Sequence, residues 1–185
     1  MMKAVEPTQV WPLSVEGYRA LGEAGLVPKD TELLYGTVYR KMSKSPLHST
    51  LVRRLLKLLA ELSLPGRFVM SEQPITCDDS EPEPDIAVVR GRNEEFAADH
   101  PHSAELVIEV CVSGHDYDRF KLRAYARANV KEVWLILAPE KQIEVHLQSG
   151  GGEFAAPVIH GPGGSLKSTA VPEFILDDLD KFFGV

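Results

Sequence analysis

Two apolar segments joined by one amphipathic segment constrain the fold of this chain more than any other feature. Residues 106–112 form its most continuous apolar run, residues 133–138 form another, and residues 116–128 between them have helical spacing. Near-continuous apolar runs are typical of strands that are buried on both faces, and a helix between two of them favours a βαβ unit with a parallel pair. The pattern therefore predicts an α/β fold with a mixed central sheet.

Further helices and strands are predicted on both sides of this unit. Ser14 is a candidate N-cap for a short helix that ends near Gly25, and Ser45 with Pro46 begins a longer helix to about Leu62. The predicted strands are residues 32–35 and 37–39, which form a hairpin about Gly36, and residues 67–75, 85–89, 105–112, 131–138, 142–147 and 154–159. Because no repeat or long linker interrupts this order, one domain over residues 1–185 is expected.

The composition is that of an ordinary globular protein, with 44% hydrophobic and 25% charged residues and a net charge of −7. No apolar segment approaches the roughly 20 residues of a membrane span, and residues 1–7 lack the apolar region of a secretion signal. The cysteines, Cys77 and Cys111, have neither disulfide-framework density nor zinc-ligand spacing. A cytoplasmic protein with no membrane segment is therefore expected.

Charge is unevenly distributed along the chain. Residues 38–57 include six basic residues and no acidic one, whereas residues 78–109 include ten acids against two arginines. A basic segment near an acidic one suits a phosphate ligand gathered around a carboxylate-bound metal. Charge placed on exposed helices for solubility is an equally good interpretation of this feature alone.

Three charged residues stand at positions where burial is expected. Asp85 opens the strand of residues 85–89, and Glu109 interrupts the apolar run 106–112. On a helical wheel Lys121 falls within the apolar arc of the following helix, which also carries Tyr117, Phe120 and Tyr125. Each of the three charged residues would be costly to bury without a partner or an ion. Two carboxylates on neighbouring strands with a lysine facing them can hold Mg²⁺ or Mn²⁺ and an attacking water for phosphodiester cleavage. The alternatives are that Lys121 extends to solvent and that Glu109 pairs with an arginine.

Several further residues are candidates for the same site. His48 shares the apolar face of the helix that begins at Ser45, so it is either a core histidine or a functional one. Glu32 begins the predicted hairpin and could add a carboxylate. The candidate contacts to a DNA backbone on that helix are Arg53, Arg54 and Lys57.

The order and spacing of these pieces are similar to those of a known family. The matching segments are residues 14–18, 32–36, 45–48, 84–86, 106–110, 117–121, 125–128 and 131–134. Over nearly its whole length, the chain resembles the Uma family of putative restriction endonucleases, a branch of the PD-(D/E)XK nuclease superfamily.

That resemblance implies a restriction-endonuclease-like core in which Asp85 and Glu109 are metal ligands. It also implies a moved lysine, because Cys111 occupies the strand position of the usual lysine and Lys121 would take over its role. The resemblance further implies that Glu32 and His48 line the site.

A metal-dependent DNA endonuclease is therefore expected, and a homodimer is plausible because restriction-type enzymes often pair two active sites. A non-catalytic DNA- or protein-binding module on the same core is the alternative. A phosphohydrolase acting on small phosphate esters is a third possibility.

Overall fold

The centre of the molecule is a mixed β-sheet flanked by helices on both faces. The computed structural model describes residues 11–113 and 115–184, so the expectation for residues 1–7 lies outside the described residues. The helices are α1 (Val15–Glu23), α2 (Pro46–Ala60), α3 (His115–Arg127) and α4 (Leu179–Phe183). The strands are β1 (Thr31–Leu34), β2 (Thr37–Arg40), β3 (Arg67–Met70), β4 (Ile86–Arg90), β5 (Leu106–Cys111), β6 (Glu132–Leu137), β7 (Gln142–Gly150), β8 (Glu153–Phe154), β9 (Val158–His160), β10 (Leu166–Lys167) and β11 (Ile175–Leu176).

The predicted βαβ unit is confirmed. Within the described residues the main sheet has the order β3-β4-β5-β6-β7, and both β8 and β9 pair with β7. Strands β5 and β6 are parallel and are joined by α3, whereas the other neighbouring strands are antiparallel. Both strands are buried along their whole length, as their near-continuous apolar sequences predict.

The sheet separates two apolar clusters. Helix α2 and the carboxy-terminal segment pack on one face, where Leu55, Ile108 and Trp134 belong to one cluster. Helix α3 packs on the other face, where Val107 and Tyr125 belong to the second cluster. No helix of residues 11–113 or 115–184 is long and apolar enough to cross a membrane.

The β1–β2 hairpin is confirmed as a separate two-stranded sheet. Its turn residues Tyr35 and Gly36 have φ angles of 54° and 71°, as a type I′ turn requires. A Cβ on Gly36 would stand 2.5 Å from the Pro12 Cβ, so this position admits only glycine. The Gly36 N–H donates to the Asp79 carbonyl at 2.8 Å and ties the turn to the loop before β4.

Both predicted helix caps are present. The Ser14 hydroxyl accepts from the Gly17 N–H, and the Ser45 hydroxyl accepts from the His48 N–H, both at 3.1 Å. Helix α2 ends at Ala60, two residues before the predicted end.

Two predicted strand boundaries are wrong for local reasons. Strand β3 ends at Met70 instead of residue 75, because Glu72 turns the chain with a φ of 55° and donates to the Pro84 carbonyl. The predicted strand 154–159 is divided into β8 and β9. Pro157 lies between them and cannot donate to a strand ladder.

Candidate active site

A cleft of about 600 Å³ opens where the β1–β2 hairpin, α2, α3 and the ends of β4 and β5 meet. All five sequence-predicted site residues line it: Glu32, His48, Asp85, Glu109 and Lys121. They come from five different parts of the chain, and the fold brings them together.

Strand register places the two central carboxylates side by side. Ile86 pairs with Ile108 across the antiparallel β4–β5 ladder, so Asp85, immediately before β4, lies beside Glu109. The Asp85 N–H donates to Glu109 Oε2 at 3.3 Å. In the other direction, the Val110 N–H donates to Asp85 Oδ2 at 2.8 Å. Both side chains are therefore fixed by the backbone of the neighbouring strand.

Lys121 points into the cleft and not to solvent. Lys121 is 5% exposed, and its Nζ lies 3.2 Å from Glu109 Oε1 and 3.2 Å from Glu32 Oε1. Burial alone would lower the pKa of Lys121, but the negative charges of Glu109, Glu32 and Asp118 raise it well above its ordinary value. Lys121 therefore remains a cation at neutral pH, and the alternative in which it extends to solvent is wrong.

Glu109 is held by a tyrosine as well as by the lysine. The Tyr125 hydroxyl donates to Glu109 Oε1 at 2.6 Å. Burial raises the pKa of Glu109 to about 8 against the attraction of Lys121, and the charge of Asp85 adds to the rise. A cation beside Glu109 would therefore relieve a carboxylate that burial disfavours. The alternative pairing with an arginine is not found among the described residues.

Glu32 enters the cleft from the hairpin and holds Lys121 from the other side. It accepts from the Tyr117 hydroxyl at 2.7 Å and from the Glu83 N–H at 3.0 Å, in addition to its contact with Lys121. Glu32 is 1% exposed. It is thus a buried partner of the lysine.

His48 reaches Asp85 from helix α2 and lines the cleft. Its Nε2 lies 3.0 Å from both carboxylate oxygens of Asp85. Its Nδ1 is buried and has no hydrogen-bond partner in the described structure. This geometry orients Asp85 from helix α2.

The donor set fits a magnesium-type ion. Each carboxylate oxygen offers about two lone pairs. On Asp85, Oδ2 accepts from His48 and Val110, whereas Oδ1 accepts only from His48. On Glu109, Oε1 accepts from Lys121 and Tyr125, whereas Oε2 accepts only from the Asp85 N–H. One lone pair on each carboxylate therefore stays free for a cation.

The pair of carboxylates on Asp85 and Glu109 also suits Mg²⁺ or Mn²⁺ in number, and the cleft around them is acidic. Within residues 11–113 and 115–184, no group of three or more histidine, cysteine or acidic side chains has metal-binding geometry. Magnesium is usually held by only one or two protein carboxylates together with water and phosphate oxygens. The cleft is lined by seven carboxylates and four lysines, so negative charge predominates there: Asp30, Glu32, Glu72, Glu83, Asp85, Glu109 and Asp118 against Lys29, Lys41, Lys44 and Lys121.

Sequence reasoning missed the residues that hold the central groups in place. Tyr117 and Tyr125 lie on α3, on the face that carries Lys121, and Asp118 of the same helix lines the cleft. The helical wheel placed Tyr117 and Tyr125 on the apolar face, but it could not show that their hydroxyls reach Glu32 and Glu109. Burial is the main cause that raises the pKa of Asp118.

The three predicted DNA contacts on α2 lie outside the lining of the cleft. Arg53 and Lys57 are exposed. Arg54 instead donates to the carbonyls of Lys181 and Phe182, at the end of α4.

A mixed sheet with paired carboxylates on adjacent strands and a lysine facing them from a helix is the arrangement that the resemblance to restriction endonucleases implies. Comparison with known proteins agrees. The family model described as "Uma2: Putative restriction endonuclease" matches residues 26–178, and the chain belongs to this family. The resemblance inferred from the sequence motifs is thereby confirmed.

A solved structure shares the fold. It is a crystal structure described as a putative nuclease belonging to DUF820 from Anabaena variabilis, and it has a TM-score of 0.75 and 16% identity to this chain. The match covers 94% of this chain and 98% of that one. No curated protein sequence matches the chain.

Proposed function

We propose that this protein is a Mg²⁺- or Mn²⁺-dependent DNA endonuclease that hydrolyses phosphodiester bonds in the cleft. One observation above all supports the proposal. The Lys121 ammonium is buried between Glu109 and Glu32, at 3.2 Å from each, and Glu109 in turn accepts from the Asp85 N–H. A buried lysine among carboxylates is costly for stability alone, and it suits a site that binds negatively charged phosphate.

Asp85 and Glu109 would hold the metal through their free lone pairs. When bound, such an ion polarises a phosphoryl oxygen and lowers the pKa of a water molecule. The chain's own contribution is to fix both carboxylates by backbone hydrogen bonds. A preorganised site of this kind needs no rearrangement when the substrate binds.

Lys121 would orient the attacking water and offset the negative charge of the transition state. The carboxylates around Lys121 raise its pKa, which favours an ammonium that donates hydrogen bonds to the water and the phosphate. Glu32 and Tyr117 position Lys121 in this role, and His48 positions Asp85.

A cleavage assay tests the proposal. Purified protein is incubated with supercoiled plasmid, linear duplex and single-stranded DNA, with Mg²⁺, Mn²⁺ or EDTA. We expect cleavage with either metal and none with EDTA. The variants Asp85→Asn and Glu109→Gln should lose activity by at least about 10²-fold, the size of effect typical for a lost electrostatic or acid–base group.

The alternative of a non-catalytic binding module makes a different prediction. In that case wild-type protein and Asp85→Asn would bind DNA equally and neither would cleave it. Calorimetric titration with Mn²⁺ adds an independent measurement, because the proposal expects binding to wild type and much weaker binding to Asp85→Asn. Absence of both metal binding and cleavage would refute the proposed function.

We also propose that the protein forms a homodimer, because restriction-type enzymes often pair two active sites. Sedimentation velocity at several protein concentrations tests this, and a monomer at all concentrations would contradict it. The cytoplasmic location stays a prediction.

A further inference from the structure

A partly exposed aromatic surface borders the cleft. It consists of Tyr39 on β2 and Tyr117 and Phe120 on α3, and we call these three residues the aromatic ledge. The ring centroids of Tyr39 and Tyr117 are 6.0 Å apart, and those of Tyr39 and Phe120 are 5.8 Å apart. Phe120 is 41% exposed although it lies on the arc of α3 that the helical wheel assigned to the core.

The hairpin register aims the ledge at the candidate active site. Glu32 and Tyr39 are directly paired across the β1–β2 ladder, so their side chains share one face of the hairpin. Glu32 points into the cleft, where Tyr117 donates to it. Tyr117 therefore belongs both to the ledge and to the lining of the cleft.

Neighbouring contacts hold the ledge in place from behind. The Tyr35 ring packs edge-to-face on Phe120 at 4.7 Å. Its hydroxyl donates to the Phe120 carbonyl at 2.6 Å and accepts from the Ala124 N–H at 3.1 Å. The Arg123 guanidinium covers the Tyr35 ring at 3.8 Å. The ring and the hydroxyl of Tyr35 are thus both occupied by protein contacts, whereas part of the Phe120 side chain is exposed to solvent.

Three of the lysines within the acidic lining of the cleft come from the segments next to the hairpin. Lys29, Lys41 and Lys44 line the cleft and flank the hairpin strands in the chain. Lys41 and Lys44 pair with Glu83 and Glu72, whereas Lys29 has no salt bridge among the described residues. Aromatic rings next to lysines are the combination that binds single-stranded nucleic acid, through stacking of bases and attraction of phosphates.

We propose that the aromatic ledge stacks the base of an unpaired nucleotide next to the phosphate bound in the cleft. The bases of an intact duplex are already stacked on their neighbours, so only an unpaired nucleotide can offer its face to the ledge. The preferred substrate is therefore single-stranded DNA or a duplex with an unpaired segment. This inference depends on the proposed function and specifies its substrate class.

Binding of the full-length protein to DNA in EDTA tests the inference without cleavage. The probes are a fluorescein-labelled 20-nucleotide single strand and the blunt duplex of the same sequence, followed by fluorescence anisotropy. We expect tighter binding to the single strand. Tyr39→Ala and Phe120→Ala should each weaken single-strand binding about tenfold, the order of one lost stacked base, with little effect on the duplex.

Two further variants separate stacking from other effects. Tyr39→Phe keeps the ring and should bind like wild type. Ile159→Ala removes another exposed apolar side chain, on β9, and should also leave binding unchanged. A 2-aminopurine base in the single strand gives a direct signal, because stacking on Tyr39 should quench its fluorescence in wild type and not in Tyr39→Ala.

The outcomes distinguish this inference from the proposed function. If Tyr39→Ala and Phe120→Ala bind the single strand like wild type, or weaken binding to both probes equally, the ledge does not stack an unpaired base. If the protein cleaves blunt duplex and the two ledge variants bind DNA like wild type, this inference is refuted and the nuclease function is not. Ledge-dependent binding without any metal-dependent cleavage would support stacking and refute the nuclease function.

Discussion

Replacement of Lys121 by methionine tests the electrostatics of the site most directly. Methionine has a similar length and no charge, so the variant removes the ammonium that lies between Glu32 and Glu109. Because burial raises the pKa of Glu109 to about 8, Glu109 is largely protonated at pH 7, and Glu32 is the main charge that loses its partner. At 3.2 Å and an effective dielectric constant of about 20, the contact between the ammonium and the Glu32 carboxylate amounts to roughly 5 kcal/mol of attraction before desolvation is subtracted. Removal of one partner from a buried ion pair usually costs about 3–5 kcal/mol.

Protonation sets an upper bound on this loss. A glutamate that is left without a partner can take up a proton. At pH 7 this costs about 1.4 kcal/mol for each pH unit above an ordinary glutamate pKa near 4.3, or about 4 kcal/mol in total. We therefore expect Lys121→Met to lower the free energy of unfolding by about 3–4 kcal/mol at pH 7. The loss should shrink towards pH 5, because protonation becomes easier there.

Urea denaturation followed by circular dichroism, in EDTA at pH 7 and pH 5, measures the effect. The exposed Lys131 is the matched control, and Lys131→Met should change the free energy of unfolding by less than about 0.5 kcal/mol. The double variant Lys121→Met/Glu32→Gln should regain part of the lost stability, because it removes one of the unpaired charges. The reasoning is refuted if Lys121→Met costs less than about 1 kcal/mol at pH 7, or if its cost is the same at both pH values.

Three other predictions follow from the same structure. Burial raises the pKa of Glu109 from 4.5 to about 8, so the folded state keeps a proton that the unfolded state releases. The free energy of unfolding of the wild type in EDTA should therefore fall between about pH 4.5 and pH 8. Urea titrations of Glu109→Gln should show a smaller fall over the same range. Burial also raises the pKa of Cys77 to about 12, so at pH 8 about one thiol in 10⁴ is ionised. Native protein should therefore not react with a disulfide reagent, and rapid labelling would contradict the buried position. Arg54→Gln should lower the free energy of unfolding by about 1–2 kcal/mol, because the guanidinium holds the end of α4. The control Arg53→Gln should lower it by less than about 0.5 kcal/mol. If the two variants are equally stable and both bind DNA more weakly than wild type, a role in DNA contact is favoured instead.

The parts of the fold that sequence can predict are those with strong periodicity. The apolar runs of β5 and β6 and the amphipathic α3 define the βαβ unit, and one acid within the first run identifies Glu109. The helical wheel also places Lys121 on the buried face. These features depend on local spacing, which the sequence shows directly.

The parts that sequence could not predict depend on contacts between distant segments. Strands β10 and β11 have two residues each and α4 has five, which is too short for any periodic pattern. The partners of Glu32 are Lys121 and Tyr117, some 85 residues or more away in the chain. Phe120 differs from its predicted burial, because it contacts Tyr35 and Tyr39 of the hairpin and is still 41% exposed.

The hairpin is a separate two-stranded sheet, and this divides the machinery of the site between two bodies. The main sheet positions the two proposed metal ligands, Asp85 and Glu109. The hairpin carries Glu32, which contacts the lysine, and Tyr39, which borders the cleft. If the proposed function is right, affinity for the ion would depend mainly on the sheet, and placement of the lysine would depend on the hairpin. Substitutions in the hairpin could then change one property while the sheet preserves the other.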